Sequence, residues 1–184
     1  MTPQVYLLAA GNGVRAGGPK AFKKYDGKTL LEKHLSFLLG RFAPQEIAIS
    51  IQPDWRDRCS ELNPGVHWTS VAPEGKPLAS LQALLKTSPV RDWGFFYHVD
   101  MPLWDAGVFD ALEAQARGLP PSSCDAVVPQ YKNRRGHPVL ISAGAAKDLH
   151  GLDAASGRLD VWLKSRRITA VDVASPAILE NWNQ

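Results

Sequence analysis

The stretch VYLLAAGNGVRAGGPK at residues 5–20 decides the fold. Val5 to Ala10 is a short apolar run closed by Gly11, which reads as a strand buried on both faces. EIAISI at residues 46–51, closed by Pro53, reads the same way. Between them Thr29 and Glu32 have the spacing of a capping box, and Leu30, Leu31, Leu35, Leu38 and Leu39 follow on one helical face. Strand, helix and strand make a βαβ unit, and the alternation continues. A helix is expected from about Trp55 to Leu62, a strand over His67–Val71, a helix over Leu78–Leu85, a strand over Trp93–Val99 and a helix over Trp104–Arg117. The loop LPPSS at 119–123 follows. Ala126–Pro129 and Pro138–Ser142 then read as strands joined by the polar, basic turn QYKNRRGH. A helix near Gly157–Ser165 and a strand near Ile168–Val173 complete the core, with Ser175–Gln184 as a loop capping the sheet. The expected fold class is α/β, an open three-layer α/β/α sandwich with a mostly parallel sheet.

Composition bounds the function. The chain has 184 residues, so one domain over 1–184 is expected. Hydrophobic residues at 45% and charged residues at 21% exclude a disordered or fibrous chain. No apolar run approaches the ~20 residues that cross a bilayer, and the start MTPQVYLL lacks a basic leader region, so a cytoplasmic protein with no membrane partner is expected. Cys59 and Cys124 lie far apart without zinc-like spacing and read as reduced, buried thiols. The net charge of +3 comes without a Lys/Arg stripe interleaved with aromatics, which argues against a nucleic-acid partner.

The loop after the first strand carries the first chemical signal. Gly11, Gly13, Gly17 and Gly18 are interleaved with Arg15 and Lys20. Glycines let backbone N–H groups approach a polyphosphate, and the two cations neutralise its charge. In open α/β sheets ligands bind outside the carboxyl ends of strands, where this loop lies. Gly11-x-Gly13-x-x-Ala16 matches the dinucleotide fingerprint only formally, because Gly17-Gly18-Pro19 opposes the helix that motif requires. Gly13 to Gly18 has P-loop spacing, but Pro19-Lys20-Ala21 lacks the magnesium-binding hydroxyl.

The second signal is WGFFYHVDMPL at 93–103, an apolar strand that ends in Asp100 and Pro102. A carboxylate there is costly unless paired, hydrated or bound to a metal, and Mg²⁺ takes one or two protein carboxylates with substrate phosphates. The competing role for Asp100 is a turn cap before Pro102.

These pieces together resemble the molybdenum cofactor guanylyl- and cytidylyltransferases, the MobA/MocA-like NTP transferases. The matching segments are LAAGNGVRAGGPK at 8–20, GKTLLEKHL at 27–35, GKPLASLQALL at 75–85, HVDMPL at 98–103, RGHPVLI at 135–141 and ENWNQ at 180–184. The resemblance implies a Rossmann-like nucleotidyltransferase (GT-A-like) fold. It implies that Leu8, Ala9, Ala10 and Gly11 read the base, that Gly13, Arg15 and Lys20 hold the triphosphate, and that Ser80 lies near base or ribose. Asp100, joined by Asn183, would bind Mg²⁺, with Arg15, Lys20 and Asp100 as the catalytic set. Arg135, His137 and Asn181 are the expected acceptor-binding residues. The loop departs from the family in Ala16, where methionine is usual. LAAG and RGHPVLI resemble the cytidylyl branch and Asn-Trp-Asn the guanylyl branch, so the implied nucleotide is CTP or GTP. The implied acceptor is molybdopterin. A sugar or alcohol phosphate, or nucleotide binding without turnover, are the competing readings. Outside this set, His98 reads as a core histidine, Trp182 as packing, and Lys23 and Lys24 as a solvated pair.

Overall fold

The structure, a computed structural model, describes residues 2–13, 18–120 and 123–182. Its chain order is β1 (Gln4–Leu8), a hairpin of β2 (Lys24–Tyr25) and β3 (Lys28–Thr29), α1 (Leu30–Leu39), β4 (Ile47–Ile51), α2 (Arg56–Leu62), β5 (His67–Ser70), α3 (Pro77–Thr87) and β6 (Trp93–His98). There follow α4 (Ala106–Arg117), β7 (Ala126–Tyr131), β8 (Arg134–Arg135), β9 (Val139–Ser142), α5 (Ala143–Asp148), α6 (Leu159–Lys164) and β10 (Ile168–Asp172). The main sheet has the order β10-β7-β9-β6-β1-β4-β5, with β8 on β7. β6, β1, β4 and β5 pair in parallel, as do β7 and β10, while β9 runs antiparallel to β6 and β7.

The expected three-layer architecture is present. Val5, Leu7, Ile49, Phe95 and Tyr97 pack with Leu31, Leu38, Phe109 and Leu112 of α1 and α4 on one face. Tyr6, Leu8, Phe96 and Val139 pack with Leu81, Leu84, Leu85 and Trp162 of α3 and α6 on the other. Successive residues of β1 and β6 therefore supply opposite cores, which is why the interiors of these strands are apolar. The capping box also forms: Thr29 Oγ1 accepts from the Glu32 amide at 3.1 Å, and Glu32 Oε2 accepts from the Thr29 amide at 2.7 Å.

The basic turn is organised differently from the expectation. β7 continues to Tyr131 and reverses at Lys132 and Asn133, both with positive φ, as two-residue hairpin turns require. Arg134 and Arg135 are thus strand residues. Between the pairs Gln130–Arg135 and Val127–Leu140 the register slips by two residues, and Gly136, His137 and a cis Pro138 fill the interruption. The segment after Ser175 forms a short 3₁₀ turn, Pro176–Leu179, whose Ile178 carbonyl accepts from the His137 amide at 2.9 Å. A Cβ on Gly136 would collide with that same carbonyl, so glycine is required there. The hairpin β2–β3 turns on Asp26 and Gly27, and α5 follows β9 directly; neither is among the elements expected from the sequence. Among the described residues no helix is long and apolar enough to cross a membrane.

His34 of α1 is 0% exposed, with Nε2 2.9 Å from the Val99 carbonyl. A carbonyl only accepts, so Nε2 carries the proton. Burial lowers the imidazole from 6.5 to about 4, and the folded protein refuses a proton that the unfolded chain takes up. Acidification between those values therefore favours unfolding, by about 3 kcal/mol in full. Denaturant titrations at pH 7 and 4.5 should show this loss in the wild-type chain and a smaller loss in His34→Gln. Equal losses would contradict the assignment.

Candidate functional site

Parallel strands bring their carboxyl ends, and the loops that leave them, to one edge of the sheet. At that edge the β1 loop and the β6 loop meet. Lys20 Nζ lies 2.6 Å from Asp100 Oδ2, with side chains 22% and 16% exposed. The other carboxylate oxygen, Oδ1, is buried and has no hydrogen-bond partner among the described residues. An unsatisfied buried carboxylate oxygen is unfavourable, and it is the donor atom that a hard cation takes. Among the described residues no group of three or more His, Cys, Asp or Glu converges. One carboxylate suits an ion that completes its shell with water and phosphate oxygens, so the site fits a divalent metal arriving with a nucleotide.

The glycine loop is pinched at its ends. The Gly18 amide donates to the Gly13 carbonyl at 3.2 Å, and a Cβ on Gly13, whose φ is +57°, would strike the Gly18 carbonyl. Glycine at 13 is therefore required on two counts. Arg15 and Gly17 lie outside the described residues, as does Asn183.

A cavity of about 280 Å³ opens between this loop, Asp100 and the start of α3. Leu8, Ala10, Gly11, Gly13, Lys20 and Ser80 line it. Ala9 does not. It packs into the opposite core, and its amide donates to the Ser50 carbonyl at 3.1 Å and approaches Ser50 Oγ at 3.2 Å. Strand alternation dictates this, because Leu8 and Ala10 face one side and Ala9 the other.

A second cavity, about 530 Å³, lies beside the first over β7 and β9 and is walled by α6 and the start of α3. Leu78, Val128, Val139 and Leu163 give it apolar walls, with Lys76 and Arg135 at its lining. His137 lines it too, and the exposed Asn181 lines neither cavity. Pro77 and His98 belong to both. His98 is therefore no core histidine: it ends β6 half-buried, at the partition between the cavities. Position alone could have signalled this, since it stands two residues before Asp100.

Burial lowers the His98 imidazole, against the opposing influence of Asp100 and with a smaller push from Lys20. Burial, reinforced by His98, brings His137 down to about 4. Both rings are neutral at pH 7 and present hydrogen-bonding nitrogens rather than charge. His137 Nδ1 is buried without a partner among the described residues.

The carboxyl-terminal segment closes the far side. The Trp182 amide donates to the Asp100 carbonyl at 2.6 Å, and its ring meets Tyr25 edge-on at 5.7 Å between centroids. Tyr25 also meets Trp104, at 5.3 Å. The expected packing role of Trp182 is thus joined to a backbone contact that holds the Asp100 turn.

A glycine-rich first loop thus faces an acid at the end of the adjacent strand, on an open, mostly parallel α/β sheet. The sequence profile of the MobA-like NTP transferase domain matches residues 5–170, and the chain belongs to that family. A 63-residue stretch is 43% identical to 2-C-methyl-D-erythritol 4-phosphate cytidylyltransferase of Corynebacterium efficiens, covering 33% of this chain and 25% of that relative's length. Two solved structures share the fold. Molybdopterin-guanine dinucleotide biosynthesis protein A from Archaeoglobus fulgidus is 20% identical, with a TM-score of 0.64 over 92% of this chain and 83% of that one. The Rv0371C complex with manganese from Mycobacterium tuberculosis is 20% identical, with a TM-score of 0.71 over 100% and 95%.

Paired with Asp100 at 2.6 Å, Lys20 would compete with any cation that approached that carboxylate. Replacing it in Lys20→Met leaves a part-buried carboxylate uncompensated, which raises its demand for a positive ion. Mn²⁺ titrated without nucleotide and followed by electron paramagnetic resonance should bind the variant about tenfold more tightly than wild type, about 1.4 kcal/mol. Equal affinities would show that the pair does not guard the site.

Proposed function

We propose that the protein moves a nucleoside monophosphate, CMP or GMP, from CTP or GTP to the terminal phosphate of molybdopterin, releasing pyrophosphate. The observation that carries this reading is the Lys20–Asp100 pair at 2.6 Å, beside a partition shared by two cavities. The smaller, glycine-lined cavity suits the nucleotide. The larger one, with Arg135 and His137 in its lining, suits the acceptor.

In this scheme an acceptor phosphate oxygen attacks the α-phosphorus. The bond from that phosphorus to the bridging oxygen breaks, and the electron pair leaves with pyrophosphate. The attacking oxygen is already anionic at neutral pH, so no strong general base is needed. Aligning the two phosphates is worth up to roughly 7–11 kcal/mol in favourable systems. Lys20, with Arg15, would neutralise charge growing on the α-phosphoryl group and the leaving pyrophosphate. Mg²⁺ held by Asp100, with Asn183 as a further ligand, would add Lewis-acid polarisation of the phosphoryl oxygens. Ser80, Leu8, Ala10 and Gly11 would hold the nucleoside end. Ala9 would act through the strand.

The stretch similar to a cytidylyltransferase for 2-C-methyl-D-erythritol 4-phosphate favours a second reading, an alcohol-phosphate acceptor with CTP. Magnesium-dependent pyrophosphate release separates the two. CTP, GTP, ATP and UTP are offered in turn with molybdopterin, and in parallel with alcohol and sugar phosphates. Release with CTP or GTP only in the presence of the pterin is expected; release only with an alcohol or sugar phosphate would overturn that acceptor. Lys20→Ala and Asp100→Asn should each lose at least about 100-fold in kcat, the scale of losing one electrostatic contact in the transition state. Full turnover by Lys20→Ala would contradict the charge assignment.

A further inference from the structure

We propose that Gln52 is a positioning residue for the nucleotide, acting through the backbone of the β1 loop; the proposal rests on assigning the smaller cavity to the nucleotide. Gln52 follows β4 directly and is 8% exposed. Its Nε2 donates to the Ala10 carbonyl at 3.2 Å and to the Gly11 carbonyl at 3.3 Å. Two carbonyl partners fix the orientation of the amide, because only its NH₂ end can face both.

The need for this side chain follows from where the ladder ends. β1 and β4 pair as far as Leu8 and Ser50, and the Ala9 amide still reaches the Ser50 carbonyl. Beyond that point the loop leaves β4, and the Ala10 and Gly11 carbonyls would have no strand partner. Gln52 spans the gap with both of its N–H groups.

Turning those carbonyls has a second consequence. In a trans peptide the C=O of one residue and the N–H of the next point in opposite directions. Carbonyls of Ala10 and Gly11 drawn toward Gln52 send the N–H groups of Gly11 and Asn12 away from it. Neither N–H donates to a backbone carbonyl among the described residues. Gly11 and Asn12 line the smaller cavity, whereas Gln52 does not. Two adjacent donors on that wall match ligand atoms that only accept, such as the ring nitrogen and carbonyl oxygen of a nucleobase or the oxygens of a phosphate. Gln52 thereby selects an acceptor-bearing group without touching it.

The test is calorimetric binding of Mg-CTP and Mg-GTP to wild type and to Gln52→Met, which keeps the side-chain length and removes both donors. The dissociation constant for the nucleotide that wild type binds should rise about tenfold, with turnover recovered at saturating nucleotide. In wild type the Gly11 and Asn12 amide resonances should shift on nucleotide addition, and in the variant that shift should shrink. Should Gln52→Met fail to fold, Gln52→Glu, which turns a carboxylate toward the two carbonyls, carries the same expectation. Unchanged affinity in a folded variant, or a fall in saturated turnover with unchanged affinity, would overturn the role. If wild type bound neither nucleotide, the proposed function would fall first and this role with it.

Discussion

Everything at the reactive edge depends on one carboxylate placed where a carboxylate is hard to keep. Asp100 sits just past a strand buried for nearly its whole length, and only one of its oxygens has a partner among the described residues. Lys20 compensates the charge from a loop 80 residues earlier in the chain. A part-buried ion pair of this kind is a poor device for stability, since desolvation offsets much of the attraction. It suits the proposed function, in which a nucleotide and its metal would offer each partner an alternative.

The fold supplies what that pair requires. Parallel pairing of β1 and β6 aligns Leu8 with His98, so the loops beyond them emerge side by side. The pinch between Gly13 and Gly18 returns the chain at Lys20, and the amide of Trp182 fastens the Asp100 turn from the opposite side. The Ile178 carbonyl does the same for His137. The two cavities are thus held by contacts among separated segments, and His98 and Pro77 form the partition where their contents would meet.

Much of this was legible in the residues because it depends on local chemistry. The Thr29–Glu32 box fixed the start of α1, and the apolar run ending in Asp100 marked β6 and its acid. The glycines at 11 and 13 marked the loop that lines the smaller cavity. What could not be read depends on register and on distant neighbours. Arg134 and Arg135 look like turn residues because they are charged, yet the positive-φ pair Lys132–Asn133 takes the turn and leaves them in a strand. Asp26 and Gly27, both with positive φ, turn the β2–β3 hairpin, a short-range signal that stands apart from the hydrophobic periodicity. His98 alternates like a core residue, but it stands at the last strand position, where the core ends and the cavities begin. Gln52 gives no sign in one dimension, since its meaning lies in two carbonyls 41 and 42 residues away.

The central claim is that Lys20 and Asp100 exchange each other for phosphate and metal when a nucleotide enters. A crystal grown with Mn²⁺ and a non-reactive CTP or GTP analogue, examined by anomalous scattering, tests it directly. The account predicts manganese about 2 Å from an Asp100 oxygen, with Lys20 Nζ moved onto a phosphate oxygen. Manganese bound elsewhere, with Lys20 still seated on Asp100 beside an ordered nucleotide, would contradict it.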